Sequence, residues 1–110
     1  MPWMLPTILG NLASKPATRR YPFVKREPFA RTRGKVNFDT SKCDLCGDCE
    51  RVCAAGAIVV DEEKREIRYD PFKCIYCALC VESCLQRAII VDRHYLPPAP
   101  SKSEWLYKVA

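Results

Sequence analysis

The chain contains two cysteine runs of identical spacing, and together they use all eight of its cysteines. The first runs from Cys43 to Cys53 and the second from Cys74 to Cys84, and both read C-x2-C-x2-C-x3-C. Each run puts three thiols on one tight loop and a fourth a few residues beyond it. Two complete runs of this kind are typical of proteins that hold two iron–sulfur clusters.

The fourth cysteine of each run is predicted to serve the cluster of the other run, as the spacing of bacterial ferredoxins with two [4Fe–4S] clusters implies. The two predicted ligand sets are Cys43, Cys46, Cys49 and Cys84 for cluster 1, and Cys74, Cys77, Cys80 and Cys53 for cluster 2. Crossed ligation would tie the two halves together. The predicted cofactors are therefore two [4Fe–4S] clusters, and no catalytic residues are predicted.

Two other uses of paired cysteines compete with this interpretation. Disulfides need an oxidising compartment, and the N-terminus has no charged segment followed by an apolar stretch and a cleavage site. Zinc is the stronger rival, because paired C-x2-C knuckles bind it tetrahedrally. A zinc site would, however, leave Cys49 and Cys53 and their counterparts in the second run under-used.

The cysteine runs lie inside a longer repeat. A shift of 31 residues aligns 36–61 with 67–92, and ten of those 26 positions are identical. Each unit reads as a strand, a cysteine loop, a helical turn and a second strand. The predicted strands are Lys35–Phe38, Ala57–Val60, Glu66–Tyr69 and Ala88–Val91, and helical turns are predicted after Cys49 and Cys80.

The predicted fold class is α+β: a bacterial 2[4Fe–4S] ferredoxin-like module of two pseudo-symmetric β-loop-α-β units, with an extended N-terminal arm and a C-terminal tail. The predicted division is a docking arm over 1–34, the ferredoxin domain over 35–94 and a Pro-rich docking tail over 95–110. A module this small buries little apolar surface, so metal ligation is expected to supply the missing stability. The side chains expected to cover the clusters are Val36, Ile58, Ile67 and Ile89.

Charge is divided unevenly along the chain, although its formal total is +5. Residues 1–35 carry eight basic residues against one acid, a net of +7, and residues 36–110 carry ten against twelve, a net of −2. Two oxidised clusters with their thiolates would bring the second part to about −6. The arm is therefore expected to differ sharply from the module in the partners it attracts.

The arm has two predicted parts. Apolar residues at helical spacing, Leu5, Ile8, Leu9 and Leu12, predict a short amphipathic helix that ends near Pro16. Its apolar stripe needs a surface: a partner protein, the module itself or a membrane. Residues 16–34 are predicted to be an extended basic strap. Basic residues among aromatics can also indicate nucleic acid, but no RNA-binding module accompanies them, and no nucleic-acid partner is predicted.

Three further features concern the surroundings of the clusters. The first loop is acidic and is expected to face water or a charged partner, whereas the second is apolar and is expected to lie against protein. Trp105, Leu106 and Tyr107 are interpreted as a second docking anchor in the tail. His94, the only histidine, is interpreted as a surface residue.

Two segments outside the cysteine runs carry a more specific resemblance: Ser14-Lys15-Pro16-Ala17-Thr18-Arg19-Arg20-Tyr21-Pro22-Phe23, and Arg31-Thr32-Arg33-Gly34-Lys35 at the entry to the first loop. With these, residues 10–94 resemble the ferredoxin-like subunit of Ech-type, energy-converting membrane-bound [NiFe] hydrogenases. They are similar, more distantly, to chain I of NADH:quinone oxidoreductase. Many such modules have proline after the fourth cysteine, where this chain has Ala54 and Leu85.

The resemblance implies a non-catalytic electron-transfer subunit on the cytoplasmic face of the cell membrane. Its implied partners are the hydrogenase small and large subunits and other subunits of the complex, with a soluble ferredoxin as a further donor or acceptor. No stretch approaches the roughly 20 apolar residues needed to span a bilayer, so membrane contact is expected only through partners. The alternatives are a free ferredoxin shuttle, or the same subunit of another complex I-related oxidoreductase.

Overall fold

The structure, a computed structural model, describes residues 2–110. A short 3-10 turn over Pro2–Met4 leads into helix α1, Leu5–Ala13. Two short helices follow in the cysteine loops, α2 over Asp48–Arg51 and α3 over Leu79–Ser83. The strands of the described residues are β1 Lys35–Phe38, β2 Ile58–Asp61, β3 Glu66–Tyr69, β4 Ile89–Asp92 and β5 Trp105–Lys108.

The strands form two small antiparallel sheets, which confirms the predicted α+β class. Strand β1 pairs with β4, with Lys35 opposite Asp92, so the first strand of one unit joins the last strand of the other. Strands β2, β3 and β5 form the second sheet in that order. Because β1 and β4 come from opposite ends of the module, their pairing brings the two cysteine loops together.

The 31-residue repeat is visible in the backbone. Three residues of the first unit and three at the equivalent positions of the second adopt the left-handed conformation. The pairs are Leu45 and Tyr76, Gly47 and Ala78, and Gly56 and Arg87. Local hydrogen bonds repeat as well: the Asp39 amide donates to Ala88 and the Asp70 amide donates to Ala57. The repeat is therefore one of chain path as well as of sequence.

Two local boundaries differ from the prediction. Strands β2 and β4 begin one residue later than expected, at Ile58 and Ile89. The helical turns begin before the third cysteine of each run and not after it, because the left-handed residues Gly47 and Ala78 turn the chain into α2 and α3. The third cysteines therefore lie within the helices, and the fourth cysteines follow the helix ends.

The end of the tail differs more. Trp105, Leu106 and Tyr107, predicted to anchor a partner, form strand β5 and pair with β3 of the module's own sheet. Trp105 and Tyr107 point towards the core and are half-buried, whereas Leu106 is exposed. Val109, just beyond the strand, is 6% exposed. This segment is therefore structurally part of the module.

The core of the module is apolar and lies between the two sheets and the cysteine loops. The four predicted cover residues are buried: Val36, Ile58, Ile67 and Ile89 are between 0 and 5% exposed. Aromatic rings extend this core, since the Phe38 ring lies 5.5 Å from Tyr69 and 5.1 Å from Tyr107, measured between centroids. Burial of this apolar surface is the main favourable term that the protein itself contributes to folding.

The N-terminal arm projects from the module. Helix α1 forms as predicted, yet its apolar stripe is uncovered, with Leu5, Ile8 and Leu9 each more than half exposed. Residues 14–31 are exposed too, apart from the partly buried Pro28, so the basic strap does not wrap around the module. The principal axes of the molecule, 73, 29 and 25 Å long, reflect this projection. Within residues 2–110, the helices are all too short or too polar to cross a bilayer.

The arm joins the module at Gly34. The Gly34 amide donates to the Asp92 carbonyl over 2.8 Å, and a Cβ atom at this position would lie 2.4 Å from the His94 carbonyl oxygen. The Arg33 guanidinium donates to the Cys77 carbonyl over 2.7 Å. The base of the arm is thus fixed to the last strand and to the second cysteine loop.

Candidate functional site

The first candidate site is a cavity under the first cysteine loop. Its walls include the thiols of three cysteines from that loop and of one from the second run: Cys43, Cys46, Cys49 and Cys84. Apolar side chains, including Phe38, Ile67 and Ile89, form the remainder of the lining. The empty space is about 360 Å³, part of it open to solvent. These four cysteines are the predicted ligands of cluster 1.

The second candidate site is the equivalent cavity under the second loop. Its cysteines are Cys53, Cys74, Cys77 and Cys80, and its empty space is about 370 Å³. Val36, Ile58 and Tyr69 cover it from the protein side. In both cavities the fourth cysteine of one run therefore lies with the first three of the other, as crossed ligation would require. The pairing of β1 with β4 places Cys84, which precedes β4, beside the first loop, and the pairing of β2 with β3 places Cys53 beside the second.

The cavities suit a cluster better than a single metal ion. A structural zinc site uses one set of four ligands and leaves no space to fill between them. Here each cavity is lined by four cysteines, three from one loop and the fourth from the other run, and the rest of the lining is mostly apolar. A four-iron, four-sulfide cube takes four thiolate ligands from such a loop-plus-one arrangement. The residues present therefore fit the predicted cofactor.

The charge state of the thiols supports the same fit. Burial, and then the Cys43 thiol beside it, raises the pKa of Cys49 to about 12. Burial, and then Cys74, raises the pKa of Cys80 to about 11. Thiols crowded in an apolar space thus resist ionisation until positive charge arrives, and a coordinated metal deprotonates them. The donor set consequently needs metal ions to reach its thiolate form.

Backbone amides are already directed at the thiol sulfurs. The Ala57 amide donates to Cys53 Sγ over 3.3 Å, and the equivalent Ala88 amide donates to Cys84 Sγ over 3.4 Å. The Tyr76 amide donates to Cys74 Sγ over 3.4 Å. Hydrogen bonds to sulfur are one means by which a protein sets the reduction potential of a cluster. The small residues at 57 and 88 allow this close approach.

One polar group in the second cavity was missed by sequence reasoning. The Tyr69 side chain is 1% exposed, and among the described side chains its hydroxyl is the one buried polar atom without a hydrogen-bond partner. Burial, and then the nearby Cys74 thiol, raises the pKa of this hydroxyl. The repeat offered a signal, because Tyr69 aligns with Phe38, which has no hydroxyl.

The surroundings of the two loops differ from each other. Within this chain the apolar second loop is only partly covered: Ile75 is 66% and Leu79 is 46% exposed. The prediction that this loop lies against protein is therefore not met by the chain alone. In the first loop, the Asp44 carboxylate accepts a hydrogen bond from Gln86 Nε2 over 3.2 Å, and this bond lowers the pKa of Asp44.

His94 lies outside both cavities. Its ring Nδ1 is 2.9 Å from Asp92 Oδ1, and its side chain is largely exposed. This arrangement lowers the pKa of Asp92, through hydrogen bonds from the amide and then the ring of His94. The predicted surface location of His94 is confirmed by its exposure.

The fold and the two cysteine-lined cavities define a ferredoxin domain with two [4Fe–4S] clusters. The family model described as 4Fe-4S dicluster domain matches residues 42–88. That part of the chain is therefore a 4Fe–4S dicluster ferredoxin domain, and its cofactors are two [4Fe–4S] clusters.

Similar proteins include subunits of quinone oxidoreductases. The chain is 39% identical over 56 residues to NAD(P)H-quinone oxidoreductase subunit I of Gloeobacter violaceus, which covers 51% of this chain and 27% of that protein. It is 40% identical over 58 residues to the chloroplastic subunit I of Angiopteris evecta, over 53% and 32% of the two chains. The chain thus spans about a third or less of these curated relatives.

A solved structure matches more of the chain. It is a chain of the membrane-bound sulfane sulfur reductase, described as an archaeal respiratory membrane complex. The TM-score is 0.65 at 30% identity, and the match covers 86% of this chain and 52% of the other. The domain is therefore related to subunit I of quinone oxidoreductases and to a subunit of a membrane-bound respiratory complex.

Proposed function

We propose that this chain is an electron-transfer subunit of a complex I-related, membrane-bound oxidoreductase. The observation that carries the proposal is the pair of adjacent cavities, each lined by three cysteines of one run and the fourth of the other. Each [4Fe–4S] cluster, when bound, takes up and releases one electron. The ligands in this proposal are the four cysteines that line each cavity.

The protein's own residues prepare both sites for this role. Val36, Ile58 and Ile67 exclude water from the protein side, and the amides of Ala57 and Ala88 hold two of the sulfurs. Close packing of the two units keeps the sites at a fixed separation. Such rigidity favours electron transfer, because little reorganisation accompanies the change in charge.

Three features favour a subunit over a free shuttle. Helix α1 presents an uncovered apolar stripe, residues 1–35 carry a net charge of +7, and the apolar side of the second loop is exposed. The Arg33 hydrogen bond to Cys77 joins the arm to that same loop. A partner that binds the base of the arm would therefore also lie near the second cavity, and would complete the cover that the loop lacks.

The finer proposal follows the sequence resemblance. It places the chain in an Ech-type hydrogenase, where it passes electrons between a donor subunit or a soluble ferredoxin and the hydrogenase small subunit. It also places the chain on the cytoplasmic face of the membrane, with the large subunit and other subunits of the complex nearby. The likeness to a chain of the sulfane sulfur reductase complex supports the wider class, a subunit of a complex I-related oxidoreductase, without favouring a hydrogenase.

Affinity purification of the full chain from its native membranes tests this function. We expect it to bring down subunits of a membrane complex, and a hydrogenase small subunit would support the finer proposal. Ile8→Glu with Leu12→Glu should abolish this association without loss of iron, whereas Thr7→Glu, on the other side of α1, should not. A chain that purifies alone, holds its clusters and exchanges electrons freely would instead be a shuttle.

A further inference from the structure

Among the described residues, the Tyr69 hydroxyl is a buried polar group that forms no hydrogen bond. The side chain is 1% exposed, and the ring is covered by Trp105 of strand β5, whose centroid lies 6.2 Å away. Trp105 also stands opposite Tyr69 in the pairing of β3 with β5. Buried hydroxyls nearly always find a hydrogen-bond partner, because an unpaired one costs its full desolvation. A hydrogen-bond acceptor for this hydroxyl is therefore expected to form when the cavity binds its cofactor.

The hydroxyl faces the ligand environment of the second cavity. Tyr69 lines that cavity together with Cys74, and the Cys74 thiol and the Tyr76 hydroxyl are its polar neighbours. Tyr76 donates its own hydroxyl proton to the Pro71 carbonyl, over 3.4 Å, so towards Tyr69 its oxygen acts as a neutral acceptor that competes with Cys74. A neutral thiol is a weak acceptor, but a metal-bound thiolate carries charge and accepts more strongly than a neutral group. The stronger partner for Tyr69 thus arises once Cys74 binds metal.

The first cavity has no such donor. The position equivalent to Tyr69 is Phe38, which lines the first cavity and contributes only a phenyl ring. The two rings are neighbours, with centroids 5.5 Å apart. The two halves of the repeat therefore differ, at equivalent positions, by a single oxygen atom on the cavity wall.

We propose that the Tyr69 hydroxyl donates a hydrogen bond to the Cys74 sulfur when cluster 2 is bound, and that this bond makes cluster 2 easier to reduce. Reduction adds negative charge to the cluster and its sulfur ligands, and a hydrogen bond to sulfur is stronger when that charge is greater. The hydroxyl keeps its proton in both states. An external reductant such as dithionite therefore adds one electron and moves no proton at this site.

This inference rests on the proposed assignment of Cys74 to cluster 2, and the two can fail separately. A wrong ligand assignment would change the iron content or the number of paramagnetic signals of the cysteine variants. A wrong role for Tyr69 would leave those properties intact and would appear only in the reduction potentials.

The test is a redox titration of the loaded full chain, followed by electron paramagnetic resonance, on wild type and Tyr69→Phe. This variant has at position 69 the residue that the repeat has at position 38, so the packing is retained. We expect one potential to fall, corresponding to an equilibrium constant for reduction lower by about tenfold, or 59 mV for one electron. The other potential should stay unchanged.

Tyr107→Phe is the matched control. It removes a hydroxyl from the same aromatic group, 5.1 Å from Phe38, at a residue that lines neither cavity. Both potentials should keep their wild-type values. If Tyr69→Phe changes neither potential, moves both equally, or has no larger effect than Tyr107→Phe, the proposal is overturned.

Vibrational spectroscopy gives a second readout. Protein loaded with clusters in D₂O should show an isotope shift in an iron–thiolate stretching band, as expected for an O–H···S bond. Tyr69→Phe should lose one such contribution, and Tyr107→Phe should retain all of them. An unchanged spectrum in Tyr69→Phe would mean that the hydroxyl bonds to Tyr76 and not to sulfur, which also overturns the proposal.

Discussion

The two halves of the repeat, 36–61 and 67–92, follow one chain path with different residues. At two of the three matching left-handed positions the first half has Gly47 and Gly56, whereas the second has Ala78 and Arg87. Left-handed backbone costs a residue with a Cβ atom roughly 1–2 kcal/mol. At these two positions the second half therefore carries strain that the first avoids, although both follow the same chain path.

The surroundings of the halves differ as well. Strand β5 pairs with β3 of the second half and covers Tyr69, while the first half presents an acidic loop to solvent. The backbone of the two halves is thus alike, while each cavity has its own covering and its own polar contacts. We expect the two clusters to differ in stability and in potential for these local reasons.

The largest expected effect concerns crossed ligation, in which each cluster takes its fourth cysteine from the other half. Single changes Cys46→Ala, Cys77→Ala and Cys84→Ala should each lower the iron content to about half, because each removes one ligand of one four-iron cluster. Cys46→Ala combined with Cys84→Ala should lose no more than either change alone, since both serve cluster 1. Cys77→Ala combined with Cys84→Ala should lose nearly all iron. The measurement is the iron content of each variant, prepared without oxygen. If the Cys46→Ala and Cys84→Ala double variant loses more iron than the Cys77→Ala and Cys84→Ala double variant, each loop keeps its own fourth cysteine.

The next effect concerns strand β5. Val109→Ala should weaken the packing of this strand by about 2 kcal/mol, as expected for removing two buried carbon atoms and leaving a cavity. The measurable result is faster loss of visible cluster absorbance in urea. We expect the signal with the Tyr69-dependent potential to disappear first, because β5 covers that residue. Lys102→Ala, an exposed change in the same tail, serves as control; equal loss of both clusters would contradict the expected asymmetry.

A smaller effect comes from exchanging residues between the left-handed positions. Gly47→Ala should destabilise the first loop by about 1 kcal/mol. The Cβ itself meets nothing within 4 Å, so the cost is one of backbone conformation. Ala78→Gly should stabilise the second loop by less than this, because glycine also gains freedom in the unfolded chain. Rates of cluster loss in urea measure both; a slower rate for Gly47→Ala would show that backbone strain is not what distinguishes the loops.

The smallest effect concerns Asp44, whose equivalent in the second half is Ile75. Hydrogen bonds from Gln86 and Cys46 lower the pKa of Asp44 in the folded protein. A carboxyl group with a lowered pKa contributes stability above its unfolded pKa of about 4, and this contribution disappears as the pH falls through the folded pKa. The rate of cluster loss should therefore rise less steeply in Asp44→Asn than in wild type as the pH is lowered.

Two controls accompany this measurement. Gln86→Met removes the main donor and should weaken the acid dependence in the same direction, while Glu63→Gln, at an exposed position, should leave it unchanged. An acid dependence of Asp44→Asn identical to that of wild type would mean that this bond between the two halves contributes no stability.

The cysteine spacing was enough to predict which thiols share a loop, and the structure brings the same groups of four together. The sequence also located β1 and β3 with their bounds, and β2 and β4 to within one residue at each end. The starts of β2 and β4 shift because the amides of Ala57 and Ala88 donate to the sulfurs of Cys53 and Cys84. A pattern of hydrophobic residues contains no information on such a bond, which depends on where the sulfur lies.

Strand β5 and the Tyr69 hydroxyl were harder to predict for a different reason. Trp105, Tyr107 and Val109 alternate with polar or exposed positions, which is a strand signal, but the partner strand lies about 40 residues earlier in the chain. Apolar residues in a tail fit a partner surface as well as their own sheet. The missing acceptor of Tyr69 depends on packing in three dimensions, so residue type alone could not reveal it.

Gly34 has a mechanical consequence. The chain there fits so tightly beneath the His94 carbonyl that no side chain could be accommodated without displacement, and the preceding Arg33 is hydrogen-bonded to the Cys77 carbonyl. The base of the arm is therefore held beside the second cysteine loop. A change of position at this base would be felt directly by the backbone that carries Cys77.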